Sequence, residues 1–496
     1  MSEFMHLQNG TDIRGVAIAG VEGEPISITP AHGQQIGAAF ARWLKQNANE
    51  EKPLTIAIGR DSRISGPDLV TGTIQGLRTE GCHVLNCGLA STPAMFMSTV
   101  YPEIQADGAI MVTASHLPYN RNGLKFFSPK GGLEKADIQW ILEKAETINL
   151  ESQEGSEETS NLMDLYSASL VSIIQERTGE SQPLLGKHIV LDAGNGAGGF
   201  FAEKVLAPLG ADTKGSQFLN PDGMFPNHVP NPEDEAAMKA IEDCVKESKA
   251  DLGIIFDTDV DRAAVVSSDG RSINRNRLIA LIGRICLKET PGATIVADSV
   301  TSDGLAEFIY ANGGHHHRFK RGYKNVINEA IRLNAIGQDC PLAIETSGHA
   351  ALKENHFLDD GAYLVVKLLI EMAERAKEGK DLAEGFVAKI IPKESKEFRI
   401  KINAESFKTY GQDVIEDLEG FAKGKKTWSL VPDNYEGVRI AFEENGKTGW
   451  FLVRLSLHDP VMPVNIESNE SGGVSQTADA LIEFLNNFKQ LDLSAF

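Results

Sequence analysis

The chain has 496 residues, with 48 Lys+Arg against 69 Asp+Glu and a formal net charge of −21. That acidic balance is not the footprint of a nucleic-acid binder, and no apolar run approaches the roughly 18 residues a membrane helix needs. A hydrophobic content of 42% supplies buried cores and argues against wholesale disorder. At about 100–200 residues per domain, the length predicts three or four domains. Cys82, Cys87, Cys244, Cys286 and Cys340 form no CxxC pair, which argues against a disulfide framework or a zinc ribbon. The opening MSEFMHLQNG has neither a basic n-region nor an apolar h-region. A cytoplasmic protein is expected, or an organelle-stroma protein if a presequence has been removed. Net negative charge repels anionic substrates at long range, so any phosphate site must be built locally from Arg, Lys, backbone N–H groups or a metal.

Short apolar runs alternate with longer amphipathic stretches. Residues 54–59 read as a buried strand, 66–80 as a helix after a Ser-Gly-Pro start, and 82–87 and 108–112 as two more strands. The segment 151–161, ESQEGSEETSN, reads as a linker or exposed loop. A second α/β unit follows: strand 188–192, helices 200–209 and 233–248, strand 252–256. A third has strand 293–297, helices 302–312 and 323–333, and strand 341–344. In the last hundred residues, strands at 398–402, 428–430, 438–442 and 450–454 are joined by Gly-bearing turns, which predicts an α+β tail. The expected domains are 1–155, 156–272, 273–393 and 394–496.

The sharpest chemical segment is Asp257-Thr-Asp259-Val-Asp261-Arg262, where an apolar strand ends in carboxylates at alternate positions. Clustered carboxylates repel unless a cation sits between them, and hard oxygen ligands suit Mg²⁺. An EF-hand is excluded because Arg262 and Ser268 stand where Gly and Glu are needed. A haloacid-dehalogenase-like phosphatase signature fits Asp257 and Asp259, but Asp261 replaces the expected Thr or Val. The second segment, Thr113 to Lys125, leaves a strand with Ser115 beside His116, a nucleophile next to a local base. Arg60 and Arg63 lie on a turn before a helix, which suits an anion. Glu345-Thr-Ser347-Gly-His349 offers hydrogen-bond partners for a sugar. Gly194-Asn-Gly196-Ala-Gly198-Gly199 satisfies GxGxxG, but no acidic residue ends a strand about 20 positions on, so a tight strand–helix turn is the better reading. His315-His316-His317 reads as a strand-edge run, since neighbours on a strand point to opposite faces.

Taken together, Gly10-Thr-Asp-Ile-Arg14-Gly and the loops 59–67, 113–125, 257–262 and 345–349 resemble the α-D-phosphohexomutase family, in the family's order. The resemblance implies an α/β architecture of four domains around a central cleft: three similar mixed-sheet domains and a C-terminal α+β domain. It implies a phosphohexomutase interconverting hexose 1-phosphate and hexose 6-phosphate, of glucose, mannose or both, through a phosphoserine at Ser115 and a hexose 1,6-bisphosphate intermediate. One Mg²⁺ per chain would bind Asp257, Asp259, Asp261 and a Ser115 phosphoryl oxygen, with glucose 1,6-bisphosphate as activator. Arg262 would neutralise charge, Lys125 and His349 would be the acid/base candidates, and Arg14, His116 and Arg60 would support the serine loop. Glu345 and Ser347 would hold sugar hydroxyls. Arg454, Ser456 and His458 would bind phosphate, although the tail loop lacks the family's Thr and carries Asp459. Leu117 stands where the family usually has Asn. The implied partners are small hexose phosphates, with no nucleic acid or membrane, in a monomer or dimer. The competing functions are a metal-dependent sugar phosphatase using Asp257 and a non-catalytic sugar-phosphate binding protein.

Overall fold

The computed structural model describes residues 4–48, 53–150, 154–384, 391–456 and 459–496. The chain divides into two compact units, one of Met1–Asn274 with Ser347–Glu384 and one of Arg275–Thr346 with Gly385–Phe496. The division cuts through the third expected domain, and it separates Glu345 from Ser347 and His349.

The first unit carries two mixed sheets. In the N-terminal sheet, strand Thr55–Arg60 lies parallel to His83–Leu89 on one side and to Gly108–Val112 on the other. Arg121–Ser128 returns antiparallel between Gly108–Val112 and Asp12–Val16. The strand residues of Gly108–Val112 are all buried, as expected of a strand covered on both faces. In the second sheet, Leu252–Phe256 pairs parallel with Ile189–Asp192 and antiparallel with Ala263–Ser267. Both sheets therefore bring the carboxyl ends of central strands to a loop that carries chemistry, the usual place for a site in such sheets.

The segment read as a linker is corrected here. Ser156–Thr159 is a strand, paired parallel with His83–Asn86 at the edge of the first sheet. All its side chains are exposed, so its composition is polar while its backbone pairs with the sheet. The helix expected at 200–209 is present but shorter: residues 200–206 are helical, with π geometry over Ala202–Leu206. Helices Pro30–Ala48 and Gly66–Thr79 pack backbone to backbone. A Cβ on Gly76 would stand 1.8 Å from the Gln34 carbonyl oxygen, so only glycine permits the contact.

In the second unit, Thr294–Asp298 pairs parallel with both His315–Phe319 and Leu342–Ile344. The three consecutive histidines thus lie on a strand; His317 shares a hydrogen bond of 2.9 Å with Glu329. The C-terminal sheet runs antiparallel in the order Trp428–Leu430, Val438–Glu444, Lys447–Val453, Val461–Ser468, Glu394–Ile402 and Leu491–Asp492. Helices Phe407–Gly424 and Gly473–Leu485 supply Val414, Leu418, Leu481 and Leu485 to its core. Arg439 is buried with its guanidinium 3.4 Å over the Trp450 ring, and donates to the Ser299 and Thr301 carbonyls and to Asp303. Among the described residues, no helix is long and apolar enough to cross a membrane.

Two measurements check this packing. Gly76→Ala overfills the helix contact and lowers unfolding free energy by about 1–3 kcal/mol in urea titration. Gly420→Ala, in the exposed interior of Phe407–Gly424 with open space around it, raises it by about 0.5–1 kcal/mol. Burial pushes the Glu467 carboxyl up to about 7 from an ordinary 4.5. Its folded-state value exceeds the unfolded one, so its contribution is complete below pH 4.5 and is lost as pH rises through about 7. Glu467→Gln should gain stability on the wild type across that window and hold a constant advantage above it, as read from unfolding midpoints at a series of pH values.

Candidate functional site

The Ser115 loop is held in shape from beneath. Ser115 takes a positive φ of 51°, a conformation that costs a non-glycine residue energy and persists only where surroundings impose it. Its N–H donates to Thr113 Oγ1 at 2.9 Å, and that hydroxyl donates to Asp61 Oδ2 at 2.7 Å. The fully buried Arg63 does the rest. Its guanidinium pairs with Asp61 at 3.2 Å and donates to the carbonyls of Leu117, Pro118 and Arg121 at 2.6, 2.7 and 2.9 Å. It also donates to the Ser115 carbonyl. One planar cation thus satisfies successive carbonyls of a sharply turned loop, a geometry that five fixed donors allow and an ammonium does not. On its other side Arg63 lies 5.2 Å from the Phe225 ring centroid.

The Asp257–Arg262 loop leaves the wholly buried strand Leu252–Phe256. Its close fit explains the GxGxxG run: a Cβ on Gly196 would lie 2.6 Å from the Thr258 carbonyl oxygen, so the glycine lets the two loops touch. Asp257, Asp259 and Asp261 are buried, and one ligand atom from each lies within 4.8 Å of the others. Lys125 Nζ donates to Asp259 Oδ2 at 2.9 Å and to Asp261 Oδ2 at 2.5 Å. Thr92 Oγ1 also donates to Asp259 Oδ2, and Thr92 N to the Asp259 carbonyl at 2.8 Å. Asp257 accepts from Arg262 N at 3.2 Å and from Arg262 Nε at 3.1 Å.

Ser115 Oγ stands 3.3 Å from Asp257 Oδ2, 3.3 Å from an Arg262 terminal nitrogen and 3.2 Å from His116 Nδ1. Arg262 also donates to His116 Nδ1 at 2.7 Å. Because guanidinium can only donate, Nδ1 is an acceptor and the imidazole is neutral. Burial, with Arg262 next to it, pushes His116 down to about 2. Burial and the neighbouring Asp261 charge push Asp257 upward. Burial acts the same way on Asp261, but Lys125, His349 and Arg262 outweigh it and hold that carboxyl low.

The residues fit a hard divalent cation. Asp259 Oδ1 and Asp261 Oδ1 are buried with no hydrogen-bond partner. An unsatisfied buried carboxylate oxygen is costly, and a cation is the species that answers several at once. The donor set is all oxygen, as Mg²⁺ prefers. A second cluster shares Asp261 with His349 and Asp359. His349 Nε2 lies 3.6 Å from an oxygen of each, and its Nδ1 is 2.9 Å from Ser347 Oγ. A β-bridge joins His349 to Arg262.

The first unit therefore gathers Ser115, His116, Lys125, Asp257, Asp259, Asp261, Arg262, Ser347 and His349. Arg14 pairs with Asp12 at 2.8 Å and donates to the Ala114 carbonyl at 3.3 Å, one residue before the serine. Arg60 donates to the Asp61 carbonyl at 2.9 Å; the support expected of it is supplied by Arg63. In the second unit, Glu345 accepts from Gly322 N at 2.6 Å, and Arg454 is buried at the end of Lys447–Val453. Ser456 follows, its N–H donating to the Val461 carbonyl at 2.9 Å. His458 lies outside the described residues. Sequence reasoning missed Asp61, Thr92, Asn231 (which accepts from Arg262 at 3.0 Å) and Asp359. Arg63 was visible as one of two arginines on a turn, but nothing in a turn says which one faces inward.

Models described as phosphoglucomutase/phosphomannomutase alpha/beta/alpha domains I, II and III match residues 6–152, 164–270 and 274–390. A phosphomannomutase/phosphoglucomutase of Pseudomonas syringae pv. tomato is 32% identical over 462 residues, spanning 92% of this chain and 91% of that protein. A Pseudomonas putida protein of the same name is 29% identical over 470 residues, spanning 94% and 93%. The crystal structure of a phosphoglucomutase/phosphomannomutase family protein from Burkholderia thailandensis superposes with a TM-score of 0.76 at 27% identity, covering 96% of each chain.

The two arginines of the turn separate in a stability measurement. Arg63→Ala leaves Asp61 and several carbonyls buried without a partner and costs about 3–5 kcal/mol. Arg60→Ala stays within about 0.5 kcal/mol of the wild type. Guanidinium unfolding of the two variants gives both numbers.

Proposed function

The chain belongs to the phosphoglucomutase/phosphomannomutase family, and on that premise we propose that it interconverts hexose 1-phosphates and 6-phosphates through a phosphoryl group carried on Ser115. It is an intramolecular phosphotransferase of the mutase class. The observation that carries the serine assignment is the triple approach to Ser115 Oγ by Asp257, Arg262 and His116, all within 3.3 Å.

Phosphoryl transfer needs positioning and charge neutralisation more than covalent help. A Mg²⁺ held by Asp257, Asp259 and Asp261 would supply Lewis-acid neutralisation of the phosphoryl oxygens. Arg262 would add a second positive charge fixed at the serine oxygen. His116, neutral and accepting from Arg262, would orient that guanidinium. Lys125 is committed to Asp259 and Asp261, so its role would be to hold their charge and geometry. His349, with Nε2 3.6 Å from an oxygen of Asp261 and of Asp359, would be the acid/base group: it would take the proton from the attacking sugar hydroxyl as the new P–O bond forms and the bond to Ser115 Oγ breaks. The resulting hexose 1,6-bisphosphate would turn over in the site and return its other phosphoryl group to Ser115 Oγ, with His349 giving the proton back to the sugar oxygen. Glu345 and Ser347 would hold the hydroxyls of either sugar face, and Arg454 and Ser456 the phosphate that is not being transferred. The substrates would be glucose and mannose phosphates. A phosphatase reading is disfavoured because Asp257 Oδ2, its nucleophile, is already engaged by Arg262 and Ser115.

The test is a coupled assay of glucose 1-phosphate conversion to glucose 6-phosphate, with Mg²⁺ and a trace of glucose 1,6-bisphosphate. Ser115→Ala should lower kcat by roughly a thousandfold or more, and chelation of the metal should abolish turnover. Release of inorganic phosphate with Ser115→Ala fully active would establish the phosphatase instead. Sugar-phosphate binding without isomerisation would establish the non-catalytic reading.

A further inference from the structure

The segment 218–234 has neither helix nor strand, and within it Phe218 and Phe225 take positive φ angles of 52° and 50°. A non-glycine residue keeps such a conformation only where its surroundings impose it. Here a buried polar pair does so. The His228 and Asp192 side chains are 3% and 0% exposed, and His228 Nε2 stands 3.1 and 3.0 Å from the two Asp192 oxygens. Those oxygens also accept from Gly194 N and from the Gln217 amide, each at 2.8 Å, which favours the charged carboxylate. On the other side of the ring, His228 Nδ1 meets the Val229 carbonyl at 2.9 Å. A carboxylate and a carbonyl can only accept, so both ring nitrogens carry protons and the ring is an imidazolium. Burial opposes that charge, but Asp192 outweighs it and holds the His228 pKa above its ordinary value.

The Val229 carbonyl leads towards the serine. It also accepts from Asn231 N at 2.8 Å, and Asn231 Oδ1 accepts from an Arg262 terminal nitrogen at 3.0 Å. Asp257 holds the Nε side of the same guanidinium at 3.1 Å. A planar fork gripped at two points leaves its remaining nitrogen one direction. That nitrogen stands 3.3 Å from Ser115 Oγ and 2.7 Å from His116 Nδ1. Glu233 Oε2 lies 3.9 Å from the nitrogen that Asn231 holds. If the loop slackens, this carboxylate competes for the guanidinium, because charge-assisted bonds are the stronger ones.

We propose that His228 is a positioning residue: through the Val229 carbonyl and Asn231 it aims the Arg262 guanidinium at Ser115 Oγ, with Asp192 as its anchor. The assignment rests on the mutase reading above. Arg262 acts on the phosphoryl group in transfer, so loss of His228 lowers kcat and leaves KM for the sugar phosphate nearly unchanged.

The full-length protein is assayed with Mg²⁺, glucose 1-phosphate and saturating glucose 1,6-bisphosphate. Beside it stand His228→Gln, His228→Asn, Asn231→Ala and the double variant His228→Gln with Asn231→Ala. Gln places its amide nitrogen where Nε2 stood and loses the bond to Val229; Asn places its own where Nδ1 stood and keeps that bond. His228→Gln should lower kcat roughly tenfold to a hundredfold, with KM within about twofold of the wild type. His228→Asn should recover part of that loss. The double variant should be no slower than the slower single one, because both substitutions cut the same chain of bonds. Loss of stability alone would move neither comparison. Wild-type kcat in His228→Gln, equal losses in the Gln and Asn variants, or losses that multiply in the double variant overturn the proposal and leave the mutase reading intact. If His228→Gln fails to fold, His228→Leu, which also removes the bond to Val229, takes its place in both comparisons. A wild type that converts no hexose phosphate removes both readings together.

Discussion

The first unit is organised around the repulsion among Asp257, Asp259 and Asp261. These buried carboxylates at the end of one apolar strand cannot coexist without compensating positive charge. Lys125 and Arg262 supply it from two directions, and they come from different parts of the chain: Lys125 from strand Arg121–Ser128 of the N-terminal sheet, Arg262 from the carboxylate loop itself. The electrostatic requirement thus docks one sheet against the other. It also sets the serine's surroundings, because the guanidinium that neutralises Asp257 is the one that reaches Ser115 and His116. Partial neutralisation leaves Asp259 Oδ1 and Asp261 Oδ1 without a hydrogen bond, and those are the oxygens a cation would take.

The same economy shows in how Ser115 is presented. A serine in the left-handed region carries backbone strain, so the loop must be held against relaxation. Arg63 does this through carbonyls, and carbonyl contacts leave no mark on the residue types they hold. That is why the loop's chemistry was legible in the sequence and its scaffold was not. Thr113, Ser115, His116 and Lys125 are chemically conspicuous. Leu117, Pro118 and Arg121 enter the same network through backbone atoms that every residue possesses.

A similar division separates the parts of the fold that were readable. Strands buried on both faces, such as Leu252–Phe256 and Gly108–Val112, announce themselves as continuous apolar runs. The edge strand Ser156–Thr159 does not, because its side chains all meet water while its backbone completes the sheet. Helix Gly361–Lys377 is hidden for the opposite reason. Its first thirteen residues are all buried, so they read as a nearly continuous apolar run, and its Lys367 is accommodated inside by Glu354 at 2.9 Å. The GxGxxG run misleads because glycine spacing reports close backbone approach, and a neighbouring protein loop needs that approach as much as a dinucleotide does.

The placement of residues 347–384 has a chemical consequence. By sequence they continue the third α/β stretch, yet they pack with the first unit through specific bonds. Gly361 N donates to the Val260 carbonyl at 3.0 Å, Tyr166 donates to Asp360 at 2.8 Å, and His349 bridges to Arg262. The first and last of these contacts land on the carboxylate loop itself, and the second ties Asp360 to helix Leu162–Thr178. His349 therefore keeps its distance from Asp261 as a property of one packed unit. Glu345, four residues earlier, is held by Gly322 in the other. The boundary between the units thus falls inside Glu345-Thr346-Ser347-Gly348-His349, so the hydrogen bonds that fix His349 and those that fix Glu345 belong to separately packed cores.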